Sequence, residues 1–236
     1  PGIVYPDQPV AVVGSGPAGT TVAYHLAQLG YPVVVFEKDA ELGGALRYGI
    51  PRYRLPSEVL DAAYDRLGSL GVEIRCGVAV GEDVSWDELE SKYAAVFLGV
   101  GKPRGRDLLT PGIDVVPAQR GVDFLRDVNS GVLDALDGPV AVIGGGDVAI
   151  DCVRSAVRLG AGRVHLFCLE SRDQMPAHPE EVGEAVSEGL FLNPSLAATQ
   201  ITAREDGRIR ITFRNVTRFD PALPPELGDS EVEVTV

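Results

Sequence analysis

One stretch of this chain occurs twice. Val10-Ala11-Val12-Val13-Gly14-Ser15-Gly16 returns 130 residues later as Val140-Ala141-Val142-Ile143-Gly144-Gly145-Gly146, and Leu29-Gly30 returns at the same displacement as Leu159-Gly160. In each copy a short β-branched run leads into a glycine turn, a stretch of helical length, and a second apolar run that ends in an acid. The second runs are Val33-Val34-Val35-Phe36-Glu37 and Val164-His165-Leu166-Phe167-Cys168-Leu169-Glu170. Strands that are apolar without alternation are those covered by helices on both sheet faces, so each copy predicts a βαβ unit of a parallel sheet. The expected fold class is therefore α/β, with two Rossmann-like three-layer lobes in 236 residues.

After the first copy, Ser57 reads as the N-cap of a helix ending near Gly71. Strands are expected at Val72 to Cys76 and Ala94 to Leu98, flanking a short helix that opens on the capping-box spacing Ser85-x-x-Glu88. Trp86 is expected to pack that helix. Breakers from Gly99 through Gly112 place a domain boundary after Pro103, giving domains 1–103 and 104–236. Pro179 to Gly189 reads as a further helix. Ala197 to Arg204, Arg208 to Arg218 and Glu231 to Val236 read as an antiparallel meander near the C-terminus. A start at Pro1 and a last apolar strand without an evident partner lead to the expectation that the sequence is truncated at both ends.

Charge and cysteine content narrow the function classes. Lys plus Arg number 21 against 34 Asp plus Glu, a net charge of −13 that repels a phosphate backbone, so nucleic acid is not an expected partner. No apolar run of about 18 residues is available to cross a membrane. Cys76, Cys152 and Cys168 have no metal-site spacing, and an odd count without a secretory segment fits a reducing compartment, most simply the cytoplasm. An acidic protein can still hold a dinucleotide, because amides at a helix start bind a diphosphate without a net positive field.

Both copies carry the residues for that task. Gly14-x-Gly16-x-x-Gly19 follows a strand and opens a helix: Gly14 for the tight turn, Gly16 for backbone approach to the diphosphate, Gly19 for close helix–strand packing. Glu37 arrives 18 residues after Gly19 as an acceptor for a ribose diol. The second copy ends in alanine, Gly144-x-Gly146-x-x-Ala149, with Glu170 placed 21 residues further on. A carboxylate at that strand end accepts from a free ribose 2′-OH and repels a 2′-phosphate, so Glu170 favours NAD(H) over NADP(H), with Arg172 two residues on as the opposing cation. Two dinucleotide sites in one chain point to a flavoprotein with one resident and one exchanging ligand. The glycines leave open which site holds which.

Three runs carry a resemblance: Gly43-Gly44-Ala45-Leu46-Arg47-Tyr48-Gly49-Ile50-Pro51-x-x-Arg54-Leu55-Pro56, Gly144 to Cys152, and Met175-Pro176-Ala177-His178-Pro179-Glu180-Glu181. They resemble the glutamate synthase small-subunit family. Phe97 to Pro103 is similar to the crossing segment in the amino-terminal half of the related dihydropyrimidine dehydrogenase. The resemblance implies a fold of the pyridine nucleotide-disulfide oxidoreductase type, with FAD in the first site, NAD(P)H in the second, and the nucleotide domain inserted into the FAD domain. It implies that Gly14, Gly16, Pro17, Ala18, Glu37, Lys38, Gly43, Gly44, Leu46, Gly49 and Arg54 line FAD, with Gly99 and Gly101 at the crossing. Gly144, Gly146, Asp147, Glu170 and Arg172 would line the nucleotide. Family members usually carry arginines where this chain has Leu169-Glu170, a departure from their NADPH preference. The family's cysteine-rich iron–sulfur segment and closing FAD half-domain do not occur in this sequence.

The remaining candidates have plainer readings. His25 reads as a surface or helix-packing residue, His165 as core or edge, Cys152 and Cys168 as inert buried thiols, and His178 as a loop residue near the second site. No redox cysteine pair is present. The expected activity is hydride transfer from NAD(P)H to FAD, with electrons passed singly to iron–sulfur centres of another segment or partner within a larger oxidoreductase complex. No catalytic proton-transfer residue is expected, since hydride transfer needs alignment above all. The alternative is a non-catalytic nucleotide-binding or electron-conduit module of a larger assembly.

Overall fold

Val10–Val13 forms strand β1, buried along its whole length, as β-branched residues do in a pleated strand covered on both faces. A computed structural model describes residues 7–236, so Pro1 lies outside the described residues. Strands β2 (Val33–Glu37), β3 (Glu73–Cys76) and β4 (Ala95–Leu98) join β1 in a parallel sheet of spatial order β3-β2-β1-β4. Val10 lies opposite both Val33 and Ala95, which brings the ends of β1, β2 and β4 together beside the first glycine turn.

Helix α1 (Pro17–Gln28) connects β1 to β2, followed by α2 (Ala45–Tyr48), α3 (Ser57–Ser69) and α4 (Trp86–Lys92). Alternate strand residues feed two cores. Val12, Val33 and Val35 pack with Ala23, Leu60 and Leu67 on one face, and Ala11, Val13, Val34 and Phe36 pack with Leu89 on the other. Two local expectations are corrected. Ser57 is the first helical residue and Pro56 occupies the cap without a side-chain hydrogen bond, because proline's fixed φ already suits the entry to a helix. Trp86, expected to pack α4, is 43% exposed at the first position of that helix, so it lies at the surface rather than in the core. Ser85 does cap α4, its hydroxyl accepting from Glu88 N at 3.1 Å, while the Glu88 carboxylate pairs with Lys92 Nζ at 2.6 Å.

The chain divides into two compact units between Pro103 and Arg104. In the second, α5 (Gly121–Asn129) precedes β5 (Pro139–Ile143), α6 (Asp147–Arg158), β6 (Arg163–Phe167), α7 (Pro179–Ser187) and β7 (Phe191–Asn193). The parallel sheet runs β5-β6-β7. Only three residues long, β7 carries too short a pattern to read from sequence. Strands β8 (Leu196–Ala203), β9 (Ile209–Arg218) and β10 (Glu226–Thr235) form an antiparallel sheet ordered β10-β9-β8. The last strand has a partner after all: Ile209 N donates to Val236 O at 2.7 Å and Val236 N to Ile209 O at 2.9 Å. It also starts earlier than its apolar pattern, because a register shift between Leu227 and Glu231 breaks the alternation. Phe167 of β6 stacks on Phe213 of β9, ring centroids 4.1 Å apart, in a core shared with Ile201 and Ile211.

Helices α6 and α7 are joined by a buried cation. Arg154 donates to Glu181 at 2.6 Å and to Glu188 at 2.7 Å and lies 2.8 Å from Glu184, while Arg158 adds a 2.6 Å bond to Glu188. Burial pushes the Glu188 carboxyl up, but hydrogen bonds from Arg158 and Arg154 outweigh it and hold the group below its usual range. A depressed carboxyl stabilises the fold above its unfolded pKa, and that contribution is lost as pH falls through the folded value. Arg154→Ala should therefore cost about 3 kcal/mol at neutral pH by leaving Glu181 and Glu184 without that cation and Glu188 with Arg158 alone. In denaturant titrations the Glu188 share of that deficit should shrink on acidification below the ordinary carboxylate range, as Glu188 takes up a proton.

Candidate functional site

The first glycine turn is built where side chains do not fit. Gly14 has φ +95°, and a Cβ on it would lie 2.5 Å from Gly99 O. A Cβ on Gly19 would lie 1.9 Å from Gly14 O, so α1 can seat on the turn only with glycine there. Gly14 N donates to Phe36 O at 2.8 Å and Gly99 N to Val13 O at 2.7 Å, tying the turn to β2 and to the end of β4. Gly16 is different: a Cβ there would meet nothing within 4 Å. It stands at the cap of α1 with Pro17 and Ala18 exposed beyond it, so the first amides of the helix face open space. That is the arrangement that receives an anion.

Glu37, Ser15 and Gly43 lock the neighbouring loops. The Glu37 carboxylate is 4% exposed and accepts from Ser15 N (2.8 Å), Ser15 Oγ (2.5 Å) and Asp39 N (2.9 Å). Ser15 Oγ in turn accepts from Gly43 N at 3.0 Å. A carboxylate has roughly four acceptor directions, so about one is left for a ribose hydroxyl. The Gly43-Gly44 loop lies against the turn, with a Cβ on Gly44 reaching 3.1 Å from Gly16 Cα. Arg47 braces this loop from α2: its Nε donates to Leu42 O at 2.5 Å and its guanidinium pairs with Asp61 and Glu41. The Tyr64 hydroxyl is buried beneath Gly43 without a hydrogen-bond partner, and burial pushes its phenol above the usual range. Ser15, Arg47 and Tyr64 were not singled out from sequence. Ser15 occupies an unspecified position of the motif, and the other two act from neighbouring helices.

The other first-site residues are less closely joined. Lys38 is exposed one position beyond Glu37. Leu46 is half-buried and packs into the core beside α1 and α3, which explains its apolar character without a ligand. Gly49 ends α2, where a Cβ would meet Ala45 O at 2.9 Å. Arg54 is exposed in the turn after Pro51, and Gly101, with φ +65°, is exposed with open space around it.

The second turn repeats the plan with telling substitutions. Gly144 N donates to Phe167 O at 2.8 Å, as Gly14 does to Phe36. Ala149 is accommodated because its Cβ lies 3.5 Å from where a Cβ on Gly144 would be, an ordinary contact. Gly146 again faces open space, with only Pro176 Cγ at 3.9 Å. Where the first site has Ser15, the second has Gly145, and a Cβ there would lie 2.7 Å from Glu170 Oε2. The missing side chain leaves room for the acid to lean over the turn. Ser195 N holds the Glu170 carbonyl at 2.8 Å, and Arg172 is exposed at the start of the short helical turn Arg172–Gln174. Asp147, first residue of α6, accepts from His178 N at 2.9 Å and faces His178 Nδ1 at 3.1 Å through both oxygens.

His25 lies on α1 edge-on to Tyr24, and His165 is sandwiched between Phe167 and Phe191 in the β5-β6-β7 sheet. Burial and the Asp151 charge push the Cys152 thiol up to about 12, and burial and Glu170 push Cys168 up to about 11, so both remain protonated and unreactive. Among the described residues no helix is long and apolar enough to cross a membrane.

Glu37 ends β2, whereas Glu170 lies in the loop three residues after the end of β6 rather than at the strand end. Two glycine turns, each opening a helix beside such an acid, define an α/β protein of the dinucleotide-binding class. The chain belongs to the pyridine nucleotide-disulphide oxidoreductase family, whose sequence pattern matches residues 8–193. It is 43% identical over 207 residues to the beta subunit of NADP(+)-dependent formate dehydrogenase of Moorella thermoacetica, covering 85% of this chain and 29% of that protein. It is 36% identical over 245 residues to the small chain of glutamate synthase [NADPH] of Halomonas elongata, covering 98% and 50% respectively. The chain thus spans half or less of these relatives' length. In fold it is similar to Mycobacterium tuberculosis FprA, solved in complex with NADPH, at TM-score 0.79 and 18% identity over 98% of this chain and 69% of that one. Lactococcus lactis thioredoxin reductase follows at TM-score 0.68 and 20% identity, covering 97% and 74%.

Ser15→Ala removes a donor from a buried carboxylate and the acceptor of Gly43 N, and should cost about 1–3 kcal/mol, read by chemical denaturation. Gly145→Ala should displace Glu170 and alter nucleotide binding while leaving the first turn intact, which a titration with NADH would register.

Proposed function

We propose that the chain is the cofactor-handling part of a flavin-dependent NAD(P)H oxidoreductase, with FAD on the first glycine turn and the pyridine nucleotide on the second. The duplication carries this reading: each turn has open space at its second motif glycine, a helix start facing that space, and an acid that ends the next strand (Glu37) or lies three residues beyond it (Glu170). At the first site Gly14 and Gly16 would shape the turn beside the FAD diphosphate, Pro17 would open the helix, and the amides of Ala18 and Gly19 would face the diphosphate, with Glu37 toward the ribose. Lys38, Gly43, Gly44, Leu46, Gly49 and Arg54 would border the rest, with Gly99 and Gly101 leading into the inserted nucleotide domain. At the second site Gly144, Gly146, Asp147 and Ala149 would hold the nucleotide diphosphate beside Glu170 and Arg172. When bound, the flavin accepts hydride from reduced nicotinamide and releases electrons one at a time. The chain itself supplies binding and alignment.

The relatives' names support this assignment: a formate dehydrogenase subunit, a glutamate synthase small chain, and a subunit of an NADPH-Fe(3+) oxidoreductase from Geobacter sulfurreducens. Their designation as subunits or chains supports a place in a larger complex; in our reading the electron acceptors there are iron–sulfur centres of an adjoining segment or partner. Three free thiols fit a reducing compartment such as the cytoplasm. Donor choice turns on Glu170, whose carboxylate over Gly145 favours the free 2′-OH of NADH. Arg172 and the NADPH or NADP(+) in the relatives' names pull toward NADPH.

An absorbance spectrum of the purified full chain should show oxidised flavin in stoichiometric amount, bleached by NADH faster than by NADPH at equal concentration. Glu170→Arg should move the preference toward NADPH by about tenfold. A colourless protein that still binds nucleotide would leave the binding-module reading standing. Unchanged preference in Glu170→Arg would remove the role given to that acid.

A further inference from the structure

We infer that Asp147 and His178 form a phosphate-binding dyad, in which Asp147 orients the imidazole and His178 Nε2 donates to the diphosphate of the dinucleotide at the second glycine turn. The inference rests on the nucleotide site proposed above and adds a residue that lies outside the glycine motif. Three consecutive residues of one loop meet three consecutive residues of the turn. Pro176 Cγ is the nearest atom to the space in front of Gly146, Ala177 N donates to Gly145 O at 3.1 Å, and His178 N donates to Asp147 Oδ1 at 2.9 Å. The imidazole is then held by its own Nδ1, 3.1 Å from each Asp147 oxygen. His178 leads directly into α7, and Arg154 clamps α7 to α6 through Glu181 and Glu188. The loop and the helix start it borders are therefore fixed to the same frame.

Electrostatics supply the reason for a histidine here. A dinucleotide diphosphate at the start of α6 brings two negative charges close to the Asp147 carboxylate, and like charges at short range oppose binding. With the diphosphate bound, an imidazole between the two anions would face Asp147 through Nδ1 and the phosphate through Nε2–H, on the far side of the ring. The His178 side chain is 77% exposed, so its outer edge is open to a ligand. The first copy has no counterpart. Pro17 stands where Asp147 stands, and it brings no charge to the helix start. The dyad thus belongs to the site proposed for the exchanging ligand and is lacking at the one proposed for the resident ligand.

Calorimetric titration of the full chain with ADP-ribose, which has the diphosphate and lacks the nicotinamide, tests the contact without turnover. His178→Gln should weaken ADP-ribose, NADH and NADPH alike by about tenfold, the scale of one charge-assisted hydrogen bond, whereas His178→Arg, which keeps a cation, should stay within about threefold of the native chain. Bound-flavin content and melting temperature, read on the same samples, should be unchanged. A loss confined to NADPH would mean that His178 meets the 2′-phosphate and would overturn the diphosphate contact. Equal affinities in native chain and His178→Gln would overturn the dyad while leaving the nucleotide site in place. If the native chain binds none of the three ligands, the dyad and the site fall together.

Discussion

Backbone packed on backbone is the constraint from which the first site follows. At Gly14, Gly19 and Gly44 a single added carbon would come within about 3 Å of another loop's main chain, so the turn, α1 and the double-glycine loop approach each other only because no side chain intervenes. Close approach puts the first amides of α1 beside the ends of β1, β2 and β4, where the strand order reverses on either side of β1. Ligands of open α/β sheets bind at that crevice, outside the carboxyl ends of the strands. The hydrogen bonds of Glu37 and Ser15 then hold the arrangement, with one carboxylate serving three donors from two loops.

The two copies share a plan and differ at the positions that border each glycine turn. Ser15 occupies the acid's acceptor sites at the first turn, whereas Gly145 leaves space for Glu170 at the second. A Cβ on Gly19 would lie 1.9 Å from Gly14 O, whereas Ala149 has room for its methyl group. Pro17 at one helix start is answered by Asp147 at the other, and Asp147 brings His178 with it. The first copy is thereby a locked turn, with its acid buried. The second keeps its polar groups nearer the surface.

Much of the fold was legible because it is written in local patterns. Unbroken apolar runs identified β1, β2, β5 and β6, and the boundary between the units falls after Pro103, inside the breaker-rich stretch from Gly99 through Gly112. Less legible were elements whose pattern is short or interrupted: β7 has three residues, and the start of β10 is masked by a register shift. Ser57 fits the composition of a cap, yet Pro56 takes the position, since a preset φ can start a helix without any side-chain acceptor. Trp86 is large and apolar yet stays 43% exposed, since size alone does not place a residue in the core.

By itself the sequence determined the duplication, the two glycine turns, the acids that end the second apolar runs, and the absence of a charge balance suited to nucleic acid. These depend on spacing along the chain, and spacing survives in one dimension. Only the tertiary structure decided that Glu37 is largely occupied by Ser15, that Arg47 and Tyr64 stand behind the double-glycine loop, and that His178 reaches Asp147 across 31 positions. Such partners come from separate elements brought together by the packing of helices on sheets. A hydrogen bond between them leaves no periodic trace in the order of residues.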